Sequence, residues 1–157
     1  MKTKETPPTP NHAELEKLAR KLAKQADTDA KSAQIMSQTL AKPSRLDLVV
    51  ESGDVYHALS TAAPLVPRTA TRLAIVTCGW AAPVDDGDDD ETAPSLHPRR
   101  RRVALVSVHD LSTGNTVSAI RFADTREVIT DYGNARGALA DAITQLGVDT
   151  LAHRNES

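Results

Sequence analysis

Cys78 is the residue of this chain that is best suited to covalent chemistry. It stands at the end of an apolar run, directly before Gly79, and a glycine beside a nucleophile lets backbone amides approach an oxyanion. His97 and His109 are the candidate general bases. No local signature of a catalytic cysteine surrounds Cys78, and cysteine is among the residues that are most often buried. We therefore expect a buried, unreactive core cysteine and assign no catalytic residue.

A metal site would have to draw on Cys78 and the histidines. The five histidines are scattered, and no two lie three or four residues apart. The acidic run at 85–91 carries its glycine at the wrong place for a calcium-binding EF-hand loop. We predict a solvated acidic loop, and we predict no metal and no cofactor.

A run of four arginines is the strongest concentration of positive charge, and such a run can bind phosphates. This function needs further basic residues on the same face, which lysines of the N-terminal segment supply if that segment packs nearby. The alternative is a charged lead-in to an apolar strand, which opposes aggregation and is partly neutralised by the acidic run. The arginines are Arg99, Arg100, Arg101 and Arg102, and the lysines are Lys17, Lys21, Lys24 and Lys31.

The N-terminal segment has the pattern of an amphipathic helix. After a Pro-rich leader that we expect to be disordered, Leu15, Leu18 and Leu22 recur at helical spacing, and this spacing extends through residues 30–41 as one helix or two. The narrow stripe indicates either packing on the protein's own sheet or binding to a partner protein or a second copy. We favour the second alternative and expect a chain without residues 1–43 to fold. Trp80, the only tryptophan, is a further candidate interaction residue.

Composition limits the class of protein. The chain has 157 residues, 39% hydrophobic and 25% charged, with a formal net charge of -2, which is normal for one globular domain. One cysteine excludes a disulfide framework and favours the cytoplasm. The first residues lack the apolar core of a signal peptide, and no apolar run approaches the roughly 18 residues of a membrane span.

The order of elements predicts an α+β fold. The apolar run 73–78 is typical of a strand buried on both faces, and runs 103–109 and 116–123 form a hairpin around a turn at 112–115. A short edge strand follows at 126–131. Residues 44–62 fit a helix, with a strand at 46–50 as the alternative. The last helix begins near Asn134 and is capped by Gly147.

These elements predict a small antiparallel sheet of three to four strands packed by helices, with a helical N-terminal extension. We divide the chain into a leader with helical segment at 1–43, a domain at 44–150 with a flexible charged loop at 81–102, and a disordered tail at 151–157.

Three segments resemble small uncharacterised proteins of high-GC actinobacteria and their phages. The segments are 77–83 (TCGWAAP), 97–103 (HPRRRRV) and 135–140 (ARGALA). The resemblance spans about residues 72–146. It implies a cytoplasmic bacterial or phage-encoded accessory protein and assigns no residue a role.

The leading functional prediction is a non-enzymatic accessory protein that binds another protein or itself through the N-terminal helix. A nucleic-acid-associated protein that uses the arginine run is the second hypothesis. A small enzyme dependent on cysteine or histidine is the third.

Overall fold

Three helices and six strands make up the part of the chain that the computed structural model describes, which is residues 10–29, 31–39, 42–81, 98–130 and 138–155. None of the described helices combines the length and the apolar character needed to cross a membrane. The elements are α1 (Pro10–Gln25), β1 (Ala33–Thr39), β2 (Lys42–Ser52), α2 (Val55–Ala62) with a short 3-10 turn (Ala63–Leu65), β3 (Ala70–Ala81), β4 (Arg101–Asp110), β5 (Thr116–Phe122), β6 (Val128–Thr130) and α3 (Ala138–Asn155).

All six strands belong to one antiparallel sheet with the order β2-β1-β3-β4-β5-β6. The predicted α+β class is confirmed, but the sheet has six strands and not three to four. The hairpin of β4 and β5 is confirmed, and so is the short edge strand β6. The strand alternative for residues 46–50 is also confirmed, since those residues lie within β2.

Strand β1 corrects the prediction of a helix over residues 30–41. Ala33, Ile35 and Ser37 are buried and alternate with less buried neighbours, which is the two-residue period of a strand. Ile35 and Met36 also fit helical spacing, and it is pairing with β2 on one side and β3 on the other that decides the conformation. Because β1 lies between these two strands, the boundary at residue 43 does not separate two structural units.

Helix α1 packs its apolar stripe on one face of the sheet. Leu15, Leu18 and Leu22 are buried, and they form one core cluster with Val106 of β4 and Val117 of β5. Of the two predicted roles of the stripe, this burial matches packing on the protein's own sheet. The stripe leaves little apolar surface for a partner.

Helices α2 and α3 cover the other face of the sheet. Leu73 and Ile75 of β3 pack there with Ile143 and Leu146 of α3, whereas Ala74 of β3 belongs to the α1 cluster. The prediction that this strand is buried on both faces is therefore confirmed. The sheet is the middle layer of three, and its two faces carry separate apolar cores.

Helix α3 continues past Gly147 as far as Asn155, so the predicted cap at Gly147 and the predicted disorder of residues 151–155 are wrong. A Cβ atom at Gly147 would lie 2.3 Å from Nε2 of His109 in β4. The glycine admits a neighbouring side chain and does not end the helix. A sequence pattern cannot distinguish these two uses of glycine, because the neighbour comes from another element.

The charged loop predicted at 81–102 is shorter than expected at both ends, since Ala81 belongs to β3 and Arg101 and Arg102 belong to β4. The acidic run at 85–91 and His97 lie outside the described residues.

Truncation of Leu15 tests whether α1 is part of the core. We expect Leu15→Ala to lower the free energy of unfolding by about 2–5 kcal/mol, because it removes a fully buried side chain and leaves a cavity. Lys17→Ala, on the exposed side of the same helix, is the matched control and should change it by less than about 0.5 kcal/mol. Urea denaturation followed by circular dichroism measures both values, and equal stability of the two variants would contradict the packing of α1.

Candidate functional site

The arginine run meets the sheet at the start of β4, where strand alternation sends neighbouring side chains to opposite faces. Arg102 pairs in register with Trp80 of β3, on the face that α1 covers. Arg101 faces the other side, where its Cζ lies 4.0 Å from the ring centroid of Phe122. Arg99 and Arg100 precede the strand and are exposed. The structure therefore divides four consecutive arginines between different environments.

Trp80 is flanked by two guanidinium groups. The Cζ atoms of Arg100 and Arg102 lie 5.0 Å and 5.3 Å from its ring centroid, which is the geometry of cation–π interactions. Trp80 is 37% exposed. Three predicted interaction residues thus form one surface group with a flat, positively charged character.

Arg102 also binds the segment that follows α1. Its Nε donates to the carbonyl oxygen of Thr28 at 2.6 Å and lies 3.4 Å from Oδ1 of Asp29. Both contacts use Nε, so the two terminal nitrogens of Arg102 have no hydrogen-bond partner among the residues that the structure describes. The same side chain therefore touches Trp80 and the end of the N-terminal helix.

Two further side chains bind the backbone just beyond α1. Arg121 of β5 donates to the carbonyl of Ala26, and Sγ of Cys78 in β3 donates to the carbonyl of Asp27 at 2.9 Å. Carbonyls at the end of a helix lack partners within the helix, and positive charge there is favourable. These bonds fix the C-terminal end of α1 over strands β3, β4 and β5.

Arg101 has a different role, which is to hold the end of the sheet. Its Nε and Nη2 donate to the two carboxylate oxygens of Asp124 at 2.9 Å and 2.7 Å. The hydrogen bond with Asp124 raises the pKa of Arg101, and the same bond lowers the pKa of Asp124. The charge of Arg101 is therefore balanced within the protein, and this arginine is less available to a ligand than Arg102.

The exposed side of α1 carries three lysines at helical spacing. Lys17, Lys21 and Lys24 stand four and three residues apart on the side opposite the leucine stripe. No described carboxylate lies within 4.0 Å of their ammonium groups. Since α1 covers the Trp80 face of the sheet, these lysines lie on the same side of the molecule as Arg102. Phosphate binding by the arginine run requires further basic residues on the same face, and these lysines meet that requirement.

Two cavities flank α1. One of about 240 Å³ contains Arg72, whose Nη2 lies 2.6 Å from Glu14 and whose Nε lies 3.5 Å from Asp110, so its charge is compensated. The other has about 310 Å³ and opens beside Cys78. The first is lined by Glu14, Lys17, Leu18, Lys21, Gln38 and Arg72, and the second by Gln25, Ala26, Asp27, Ser32, Gln34, Glu51, Val76, Thr77 and Cys78.

Cys78 and His109 lie on opposite sides of the sheet. Cys78 is partly exposed, which corrects the prediction of a buried thiol, and it contacts the segment after α1. His109 is only 3% exposed, and its ring lies against Gly147 of α3 with Nδ1 2.8 Å from Oγ1 of Thr116. The sheet therefore separates this thiol from this candidate base. Among the described residues, no cluster of three metal-binding side chains occurs.

The fold and this surface define an α+β protein with a basic face around one exposed tryptophan. Comparisons with protein-family models, with curated proteins and with solved structures each found no match. The function must therefore be inferred from the side chains themselves.

The buried imidazole makes stability depend on pH. Desolvation lowers the pKa of His109, and this outweighs the opposing effect of the neighbouring Asp110 carboxylate. An unfolded histidine binds a proton near pH 6.5 while the folded one stays neutral, so the free energy of unfolding should fall as pH drops below about 6.5.

Urea denaturation of the protein and of His109→Gln at pH 7.5, 6.5 and 5.5 measures this effect. The glutamine can still bond Thr116 but does not titrate, so the variant should lose less stability between pH 6.5 and 5.5. An identical loss in both proteins would place the titrating group elsewhere.

Proposed function

We propose that the protein binds nucleic acid through the face that carries α1. We define this basic face by Lys17, Lys21, Lys24, Arg100 and Arg102. The contact of Arg102 with both Thr28 and Trp80 carries the proposal, because it joins the helix lysines and the arginine run on one side of the molecule.

Local charge decides the interaction, not net charge. The whole chain has a formal net charge of -2, which does not attract a polyanion. Screening at physiological salt limits electrostatic contact to about 8 Å, so a phosphate near the basic face responds mainly to the cations around it. Asp27 and Asp29 reduce the potential at one end of the face, and Glu14, which lines a cavity with Lys17 and Lys21, reduces it at the other. No described carboxylate lies within 4.0 Å of the lysine ammonium groups. The lysines are therefore the main phosphate contacts.

Nucleic-acid binding replaces protein binding as the leading hypothesis because the leucine stripe of α1 is buried. The predicted protein-binding surface was the leucine stripe of α1, and Leu15, Leu18 and Leu22 are 0%, 9% and 7% exposed. A partner could reach them only if α1 left the sheet. The side of α1 that faces solvent is basic, and phosphates complement that chemistry.

The proposed setting is the cytoplasm of a bacterial or phage-infected cell. The single cysteine supports a reducing compartment, and the resemblance to actinobacterial and phage proteins supports the source. The proposed role is that of a non-enzymatic accessory protein.

Salt dependence tests the proposal. We expect the protein to bind short oligonucleotides at low salt, with the logarithm of the affinity falling linearly with the logarithm of the salt concentration. Lys21→Ala should reduce that slope by about 0.7–0.9, because one phosphate contact is lost. Fluorescence anisotropy of a labelled oligonucleotide at four salt concentrations measures the slope.

Arg68→Ala is the matched control, since Arg68 is exposed and lies near Arg154 of α3, away from the basic face. This variant should retain the original slope. Absence of binding at low salt, or an equal effect of both substitutions, would refute the proposal.

A second candidate function is association with another protein or a second copy. Val148 and Leu151 of α3 support it, since they are 56% and 39% exposed and lie three residues apart on one side of the helix.

If this apolar pair forms an interface, replacing both residues with serine should shift the mass measured by light scattering toward that of a monomer. Thr144→Ser, on the same helix but bonded inward to Thr116, is the control. A monomeric mass for the unmodified protein at high concentration would exclude self-association through α3.

A further inference from the structure

The group formed by Trp80, Arg100 and Arg102 indicates which form of nucleic acid binds. It is a flat aromatic ring with two guanidinium groups within 5.3 Å of its centroid, and it is partly exposed at the end of the sheet. Phosphate binding alone requires no aromatic residue. Unpaired bases stack on aromatic rings and on guanidinium planes, and such stacking contributes roughly 1–3 kcal/mol per base.

We infer that the ligand is single-stranded nucleic acid, with an unpaired base stacked on the Trp80 group and phosphates bound by the lysines of α1. This inference rests on the proposed function and specifies its ligand. Within a duplex both faces of each base are covered by neighbouring bases, so only the pairs at its two ends could stack in this way.

The opposite side of the sheet supports this choice of surface. Arg101 and Phe122 form a similar pair there, but Asp124 binds the guanidinium through both carboxylate oxygens. The two terminal nitrogens of Arg102 make no hydrogen bond with described residues, so they can donate to a phosphate next to a stacked base. The Trp80 side therefore differs from the Phe122 side in that its ion pair, between Arg102 and Asp29, uses Nε and not the terminal nitrogens.

The spacing of the cations fits a short strand. Lys17 and Lys24 are seven residues apart on α1, or about 10 Å along the helix axis. At the 3.4 Å per strand of duplex DNA this length spans about three phosphates, and a more extended single strand places fewer phosphates along it. Lys24 is the α1 lysine nearest in sequence to Thr28, whose carbonyl Arg102 binds. A strand lying along α1 can thus reach the Trp80 group at the helix end.

Trp80 is the only tryptophan, so its fluorescence reports on this one position. The full chain would be titrated at low salt with a ten-residue oligothymidylate, a ten-residue oligouridylate, an abasic deoxyribose-phosphate strand of equal length, and a ten-base-pair duplex. We expect the two base-containing strands to quench Trp80 fluorescence and the abasic strand to bind without quenching. Affinity for the duplex should be at least 10-fold weaker than for the single strand. The relative affinities of the two single strands distinguish DNA from RNA.

Trp80→Leu should weaken binding of the oligothymidylate roughly 5- to 160-fold and leave binding of the abasic strand unchanged, because stacking and not phosphate contact is lost. Phe122→Leu, on the other side of the sheet, is the control and should bind as the unmodified protein does. Circular dichroism checks that both variants fold, and the comparison of base-containing with abasic strands needs no variant.

Equal affinity for base-containing strands, abasic strand and duplex, with no quenching, would overturn this inference while leaving phosphate binding intact. Failure to bind any of the four would overturn both proposals.

Discussion

The attachment of the C-terminal end of α1 to the sheet governs the arrangement of the rest of this surface. Side chains from three adjacent strands, Cys78, Arg102 and Arg121, bind three successive backbone carbonyls beyond the helix. Carbonyls at a helix end have no partner within the helix, so these bonds and the leucine stripe together set where α1 lies. The position of the lysines follows from that, since they occupy the side of the helix opposite the stripe.

A sheet covered on both faces makes different demands on its strands than a sheet with one solvated face. Both sides bury polar side chains beside their aliphatic cores, among them Gln38 and Thr130 on the α1 side and His109 and Thr116 on the α3 side. His109 contacts Thr116, Thr116 contacts Thr144 of α3, and Ser107 contacts Ser118. Each of these buried polar groups has a hydrogen-bond partner, as burial requires. Gly147 and His109 belong to the α3 side, where the close approach of α3 to the sheet leaves no room for a Cβ atom at position 147.

The arginine run shows how a fold gives identical residues different roles. Consecutive positions of β4 face opposite sides, so Arg101 meets Phe122 and Asp124 whereas Arg102 meets Trp80 and the end of α1. Arg101 binds both carboxylate oxygens of Asp124, whereas Arg102 meets Asp29 through Nε alone and keeps its terminal nitrogens on the basic face. The first stabilises the sheet end, and the second connects two basic segments that are distant in sequence.

Much of the local structure could be predicted from residue pattern. Leucines at helical spacing predicted the helix now seen as α1, and the β-rich runs around a Ser-Thr-Gly-Asn turn predicted the hairpin of β4 and β5. Both are short-range signals that depend on neighbours in the chain. Candidate interaction residues were found in the same way, since an arginine run and a single tryptophan are visible in any sequence.

Tertiary structure decided what those elements contact. Strand β1 has a pattern that suits a helix as well, and its conformation depends on pairing with β2 and β3. The leucine stripe could likewise have packed on a partner or on the protein's own sheet. An apolar stripe predicts that the residues are buried, but it does not identify the surface that buries them. The sequence by itself determined the amphipathic helix, the hairpin and the clustered charge. Only the fold decided that the lysines, Arg102 and Trp80 share one face, because that proximity depends on contacts such as the bond from Arg102 to Thr28, two residues that are 74 positions apart in the chain.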